Sequence, residues 1–378
     1  MLALPPFQAI AEFILAQRLD KLCRREFHSP YSFASCSRCG DRRIYPHATT
    51  KLNKVISYLA TITVSILEKF IMIESEQQKL HSADYFGEQR DYWWNIDFLK
   101  LMRQRWQLDE VNTVLDVGCG IGHWGQILGS ILPVDAKVIG IDRELAWIGQ
   151  AYQRVQKLNL ADRFSYQKGD AENIPFADGT FDMVTCQTLL IHTQNPLATI
   201  KEMLRVLKPG GLVAVAEPNN VANSLLFDSV NFEYPIERIC DRVRFQLICE
   251  RGKAALGEGN NSIGDLLPGY FASLGINNIQ VYLSDKTFSL FPPYQSLEQQ
   301  VSKQQDLDWI KENFWIWNRQ ESQRFFIAGG GTSQEFEFYW QQVILENQDR
   351  EIALVNNKFH TTSGSILYLV SGRKSTAK

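Results

Sequence analysis

Residues 114–125 read Val-Leu-Asp-Val-Gly-Cys-Gly-Ile-Gly-His-Trp-Gly, an apolar strand that runs into a glycine-dense turn with an acid, Asp116, two positions before Gly118. Glycines at 118, 120 and 122 let the chain turn sharply and let a ligand come close where a Cβ would collide, and a helix starting there offers its free N–H groups. Such a turn holds nucleotide-like molecules. Gly120, Gly122 and Gly125 also satisfy the dinucleotide spacing G-x-G-x-x-G, with Asp142 standing 20 residues after Gly122. Asp116 speaks against that ligand, because its carboxylate would oppose an anionic pyrophosphate. It favours a cationic or zwitterionic one.

Four further segments extend the pattern: Val138-Ile-Gly-Ile-Asp142, Gly169-Asp-Ala-Glu-Asn-Ile-Pro175, Phe181-Asp-Met-Val-Thr-Cys-Gln187 and Arg205-Val-Leu-Lys-Pro-Gly-Gly-Leu212. With Asp116 and its glycines they resemble the class I S-adenosylmethionine-dependent methyltransferases, in order and over about one hundred residues. The resemblance implies that Asp142 accepts hydrogen bonds from both ribose hydroxyls. It further implies that Asp170 accepts from the adenine amine while the Ala171 backbone N–H faces the ring. The cofactor-binding set on this basis is Asp116, Gly118, Gly120, Gly122, Asp142, Arg143, Asp170, Ala171 and Gln187, with S-adenosyl-L-methionine as cofactor. The reaction implied is in-line transfer of the sulfonium methyl, for which a protein chiefly aligns reactants and excludes water. An oxygen or nitrogen acceptor can need a base, and His192, five residues after Gln187, is the candidate by position, with His123 at the helix start the other. An NAD(P)-dependent oxidoreductase and a non-catalytic S-adenosylmethionine-binding protein are the alternatives.

The elements that must position these residues alternate. Strands are expected near 112–117, 137–142, 163–168, 181–187 and 211–217, with helices near 122–132, 145–157 and 196–207. That pattern predicts a doubly wound, mostly parallel, seven-stranded Rossmann-like sheet covered on both faces. Ligands on such sheets bind at the carboxyl ends of the strands, where Asp116, Asp142, Asp170 and Gln187 fall. Apolar residues at helical intervals between His81 and Trp106 predict a helix leading into the first strand, and the resemblance makes Tyr85, Phe86, Arg90 and Trp94 candidate cofactor contacts. Core packing of the aromatics beside an exposed Arg is the competing reading and the commoner role of such residues. Beyond Pro218, residues 222–256 and 262–274 read as helical, Ile279–Leu283 as an edge strand and Ser365–Ser371 as the last strand.

The expected organisation is an N-terminal extension over 1–71, a cofactor-binding core over 72–220 and, over 221–378, the remainder of the sheet with an aromatic helical lid at about 288–360. Phe314, Trp315, Trp317, Phe325, Phe326, Phe336, Phe338, Tyr339 and Trp340 crowd around Gly329-Gly-Gly331. They suit an apolar acceptor pocket with a glycine hinge, and equally a cap that packs on itself or a dimer contact. The acceptor is expected to be small or moderately apolar, and the protein a monomer or homodimer.

With 39 basic and 42 acidic residues there is no excess charge to neutralise phosphates, so nucleic acid is not a favoured partner. Seven cysteines without framework spacing suit a reducing, cytoplasmic compartment. Cys36-Ser-Arg-Cys39, even with Cys23 and His28, lacks the second close pair of a zinc site, and no metal is assigned. The uncharged run Val55–Leu67 has 13 residues, short of the roughly 20 that span a bilayer. Residues 1–71 are expected to be dispensable, with Met72 a possible internal start.

Overall fold

The structure, a computed structural model, describes residues 87–362, 364 and 366–376. All belong to the compact unit 79–378, one of two into which the chain divides. Cys23, His28, Cys36, Cys39, the 55–67 run, the 71/72 boundary, Tyr85 and Phe86 lie outside the described residues.

After a 3-10 turn at Glu88–Tyr92, the described residues form helix α1 (Ile96–Trp106) and strand β1 (Thr113–Val117), then α2 (His123–Leu128), β2 (Lys137–Asp142), α3 (Leu145–Lys157), β3 (Phe164–Lys168), β4 (Phe181–Gln187), α4 (Pro196–Val206) and β5 (Leu207–Pro218). It continues with α5 (Asn220–Asn223), α6 (Ile236–Ala255), α7 (Leu267–Ser273), β6 (Asn277–Leu283), α8 (Leu297–Lys311), α9 (Arg319–Ala328), α10 (Ser333–Val355) and β7 (Leu367–Arg373). The seven strands form one sheet in the order β3-β2-β1-β4-β5-β7-β6. The first five are parallel, and β7 lies antiparallel between β5 and β6. This is the doubly wound, Rossmann-like arrangement expected.

Side chains alternate across the sheet, as the two-residue period of a strand requires. Val114, Met183, Leu212, Ala214 and Ala216 pack on one face with α1 and Trp124. Leu115, Val117, Val184, Cys186, Val213 and Val215 pack on the other with Ile200 and Met203 of α4. The buried polar residues of this frame are Thr185 and Ser371 in mid-sheet and, near the carboxyl ends, Asp116, Gln187 and Glu217. Asp116 and Gln187 share the period of the first face, and Glu217 that of the second.

Local chemistry explains where the boundaries fall. Asn195 caps α4, its side chain accepting from Ala198 N, with Pro196 at the first helical position. The expected helix over 222–256 is confined to a single turn at 220–223 and to α6. Between them Asp228 accepts the N–H groups of Val230 and Asn231, both at 2.8 Å, a side-chain turn that competes with helix. Pro235 then fixes the entry to α6. Over the described part of the helix expected between His81 and Trp106, a 3-10 turn at Glu88–Tyr92 precedes α1, which starts at Ile96. Among the described residues no helix is long and apolar enough to cross a membrane.

Helices α6, α9 and α10 make a cap with its own core. Phe245 of α6 stacks between Trp315 at 4.6 Å and Tyr339 at 5.3 Å, beside Phe326 at 5.3 Å. Most of the crowded aromatics are therefore cap core: Trp317, Phe325, Phe326, Phe336 and Trp340 are buried, while Phe338 is exposed. Around Phe245 these rings pack on one another, as the self-packing reading has it.

Candidate cofactor site at the strand ends

β1 delivers Asp116 into a buried position, 1% exposed, against the first turn of α2. Its Oδ2 accepts the Gly125 N–H at 3.1 Å, and a Cβ on Gly125 would stand 2.9 Å from that oxygen, which accounts for glycine there. Its Oδ1 is buried without a hydrogen-bond partner among the described residues. Burial pushes the Asp116 carboxyl up to about 7, with the charge of Asp142 adding to the effect. Asp142, at the end of β2, accepts the Gly120 N–H and the Glu144 N–H, both at 2.9 Å. It anchors the glycine turn as well as facing it, and burial raises its carboxyl too.

The glycines act differently from expectation. Gly118 and Gly122 do adopt positive φ, +65° and +86°. Yet the space a Cβ would take at Gly118 is filled by Leu189, with its Cδ1 at 2.5 Å, and at Gly122 by the Tyr166 hydroxyl at 2.6 Å and Gln126. At these two positions the missing side chain admits protein, and the turn is packed from behind.

The other expected residues divide. Gln187 is buried, and its Oε1 accepts from Trp94 Nε1 at 3.1 Å. Asp170 is exposed and accepts the Glu172 N–H at 2.8 Å, forming the tight turn that carries the half-buried Ala171. Arg143 is exposed and lies 3.5 Å from Glu144. His192 ends a 3-10 turn at Leu190–His192 and is half-buried.

Arg90, a candidate from the sequence, is joined in the site by Thr188, Glu217 and Lys253, which the sequence analysis did not single out. The turn after β4 has Thr188 at φ +51°, a strained conformation for a β-branched residue. Its hydroxyl accepts from the Arg90 guanidinium at 2.7 Å. Burial draws Arg90 down to about 10, against the charges of Asp116 and Glu217. Glu217, fully buried at the end of β5, accepts the N–H groups of Leu189 and Leu190 at 2.8 Å and of Ile191 at 3.4 Å, and burial raises it to about 7. From the cap, Lys253 of α6 donates to the Ile191 carbonyl at 2.5 Å. The post-β4 turn is thus held by a carboxylate on its N–H groups and an ammonium on a carbonyl.

Asp91 plays the same part for the 88–92 turn. It meets His123 Nδ1 at 2.7 Å and also the Arg154 guanidinium, and Arg154 in turn donates to Gln126 at 2.6 Å. Burial lowers the pKa of His123, outweighing the nearby carboxylate, so the neutral ring is favoured. Glu217 left one sequence signal, an acid closing an apolar strand as Asp142 does. Asp91 left none, since its partners lie 32 and 63 residues away.

A family profile described as a methyltransferase domain matches residues 108–254. The chain is 34% identical over 113 residues to the demethylmenaquinone methyltransferase of Lactiplantibacillus plantarum, covering 30% of this chain and 48% of that protein. It is 32% identical over 182 residues to the ubiquinone biosynthesis O-methyltransferase of Dechloromonas aromatica, covering 44% of this chain and 74% of that protein. The chain belongs to the class I S-adenosylmethionine-dependent methyltransferases. A solved S-adenosylmethionine-dependent methyltransferase from Aquifex aeolicus is also similar, at 26% identity and TM-score 0.31, with 35% of this chain and 68% of that one covered. The chain spans about half the length of the first of these relatives, 48%.

The donor set of this methyltransferase fits S-adenosylmethionine. That molecule carries a sulfonium and an ammonium, and the site holds a buried carboxylate oxygen lacking a partner among the described residues, with the charge of a second carboxylate acting on it. A pyrophosphate would add negative charge to two acids already raised by burial. The dinucleotide alternative therefore fails on family membership and on charge.

Proposed function

We propose that this protein transfers the methyl group of S-adenosylmethionine to a small, moderately apolar acceptor at the carboxyl ends of β1, β4 and β5. The observation that carries the cofactor half is the buried Oδ1 of Asp116, without a hydrogen-bond partner among the described residues, at the end of the strand next to the one whose Asp142 anchors the glycine turn. S-adenosylmethionine supplies an activated methyl on a cationic sulfur. The chain's own contribution is to bind and to orient: Asp116 offers negative charge, Asp142 offers carboxylate oxygens for hydroxyl donors, and Asp170 with Ala171 forms the turn suited to the adenine ring. Arg143 lies next to Asp142 at the rim, and Gln187 steadies Trp94.

On the acceptor side, the post-β4 turn carries His192, which can accept a proton where the acceptor is a hydroxyl or amine. Its backbone is held by the Glu217 and Lys253 clamp. An apolar acceptor is supported by the names of two relatives, which refer to menaquinone and ubiquinone.

Isothermal titration of the purified protein with S-adenosylmethionine and with NAD, followed by a screen for S-adenosylhomocysteine release with demethylated quinones, tests the proposal. Binding of S-adenosylmethionine alone is expected. Asp142→Ala should weaken it by about 1.5–3 kcal/mol or more, because charge-assisted hydrogen bonds and the Gly120 anchor are lost together. Unchanged affinity in that variant would contradict the assigned role, and binding without turnover on any acceptor would favour the non-catalytic alternative.

A further inference from the structure

Away from the glycine turn, α8, the 312–318 connection and α10 enclose a cavity of about 110 Å³. Its wall joins three aromatic rings, Trp309, Phe314 and Trp315, to Asp306, Glu346 and Arg350. Most of the charges here are matched. Arg242 donates to Glu346 at 3.1 Å, while Arg350 lies 3.9 Å from Glu346 and donates to Asp228 at 3.3 Å. Two guanidinium groups and two carboxylates therefore form a balanced chain, and Arg350 is further held against the Phe359 ring at 5.6 Å.

Asp306 stands outside that chain. Its carboxylate makes no hydrogen bond and no ion pair within 4.0 Å among the described residues; at longer range the attraction of Arg350 outweighs the repulsion of Asp228, and with Asp306 counted the group sets three carboxylates (Asp228, Asp306, Glu346) against two guanidinium groups (Arg242, Arg350). It keeps some accessible surface because it lines the cavity. A carboxylate taken from water without a partner is costly, and a cation within reach would remove that cost. The rings that line the cavity, Trp309 stacked on Phe314 at 5.4 Å and Trp315 stacked on Phe245 at 4.6 Å, add apolar surface and aromatic quadrupoles that attract the same kind of ligand.

We propose that this cavity is a binding site for a small alkylammonium cation, its charge opposite Asp306 and its carbon groups against Trp309, Phe314 and Trp315. One unbalanced carboxylate limits the ligand to a single positive charge, and Arg350 in the wall disfavours a dication. The site lies within the cap, and its occupancy does not depend on the methyl-transfer reading.

Titration of the full chain with tetramethylammonium chloride, followed by tryptophan fluorescence and by calorimetry, tests this against sodium chloride at equal ionic strength and against tert-butanol as an uncharged analogue of similar shape. Saturable binding of tetramethylammonium, with neither control binding, is the expected result. Asp306→Asn, close to isosteric, should weaken it by about tenfold or more. Asp116→Asn, at the glycine turn, should leave it unchanged. Absence of a saturable response in the natural protein, equal binding of tert-butanol, or full affinity retained in Asp306→Asn would each overturn the proposal.

Discussion

At the scale of single residues, Asp116 is the group whose state the cofactor changes under the proposed assignment. Its carboxyl is pushed to about 7 by burial, above the value near 3.9 of an unfolded chain. A carboxyl raised in the fold contributes stability that is complete below the unfolded value and is lost as pH rises through the folded one. The ligand-free protein should therefore lose stability from this group between about pH 4 and pH 7. A cationic ligand reverses the preference, so affinity for S-adenosylmethionine should climb by roughly tenfold between about pH 6 and pH 8, with a proton released on binding near neutrality. Calorimetry in buffers of different ionisation enthalpy measures that release directly. Asp116→Asn should bind weakly at every pH and lose the slope; a variant that kept it would move the titrating group elsewhere. Asp116 and Asp142 were legible in the sequence because each closes an apolar strand beside glycines. What made Asp116 informative, an oxygen with no partner, exists only once α2 folds its Gly125 N–H onto the other oxygen.

At the scale of elements, two short turns do the positioning. No apolar side chain of the 88–92 turn is fully buried, so apolar burial gives it little hold of its own. It is tied instead by Asp91 to His123 and Arg154, by Arg90 to Thr188, and by Gln89 to Ser302 of α8 at 3.5 Å. Asp91→Ala should therefore weaken S-adenosylmethionine binding by about 1.5–3 kcal/mol, the worth of hydrogen bonds to a charged group, while moving the thermal midpoint little. Comparing calorimetric affinity with a melting curve separates the two, and a large fall in the midpoint with unchanged affinity would make Asp91 a purely structural residue. Strand and helix positions were readable because apolar periods of 2 and 3.6 are local properties of the chain. The turns were not, since Asp91, Thr188 and Glu217 owe their roles to partners that only the sheet order brings close. The length of α6 was misjudged for a related reason: Asp228 diverts the backbone through its own side chain, a competition that hydrophobic periodicity does not register.

At the scale of the whole unit, the sheet and the helical cap are separate cores joined at a polar seam. The aromatics of residues 314–340 announced a hydrophobic body in the sequence, but composition alone does not distinguish a pocket from a core, and only the packing around Phe245 resolves it. The seam is formed where Lys253 of α6 reaches the Ile191 carbonyl and Gln246 donates to the Asn220 carbonyl at 2.7 Å. Cap folding should therefore bear on the post-β4 turn before it bears on the glycine turn. Phe245→Ala provides the test, since removing a ring stacked among Trp315, Phe326 and Tyr339 should cost about 3–5 kcal/mol. Urea denaturation followed by near-ultraviolet circular dichroism should show the aromatic signal lost at lower denaturant. Below that transition, S-adenosylmethionine affinity should stay close to that of the natural protein. Acceptor turnover should fall more steeply, because Lys253 no longer fixes the turn that carries His192. If affinity for the cofactor instead disappears together with the aromatic signal, the cap and the glycine turn form one cooperative unit, and the seam at Lys253 is continuous with the core of the sheet.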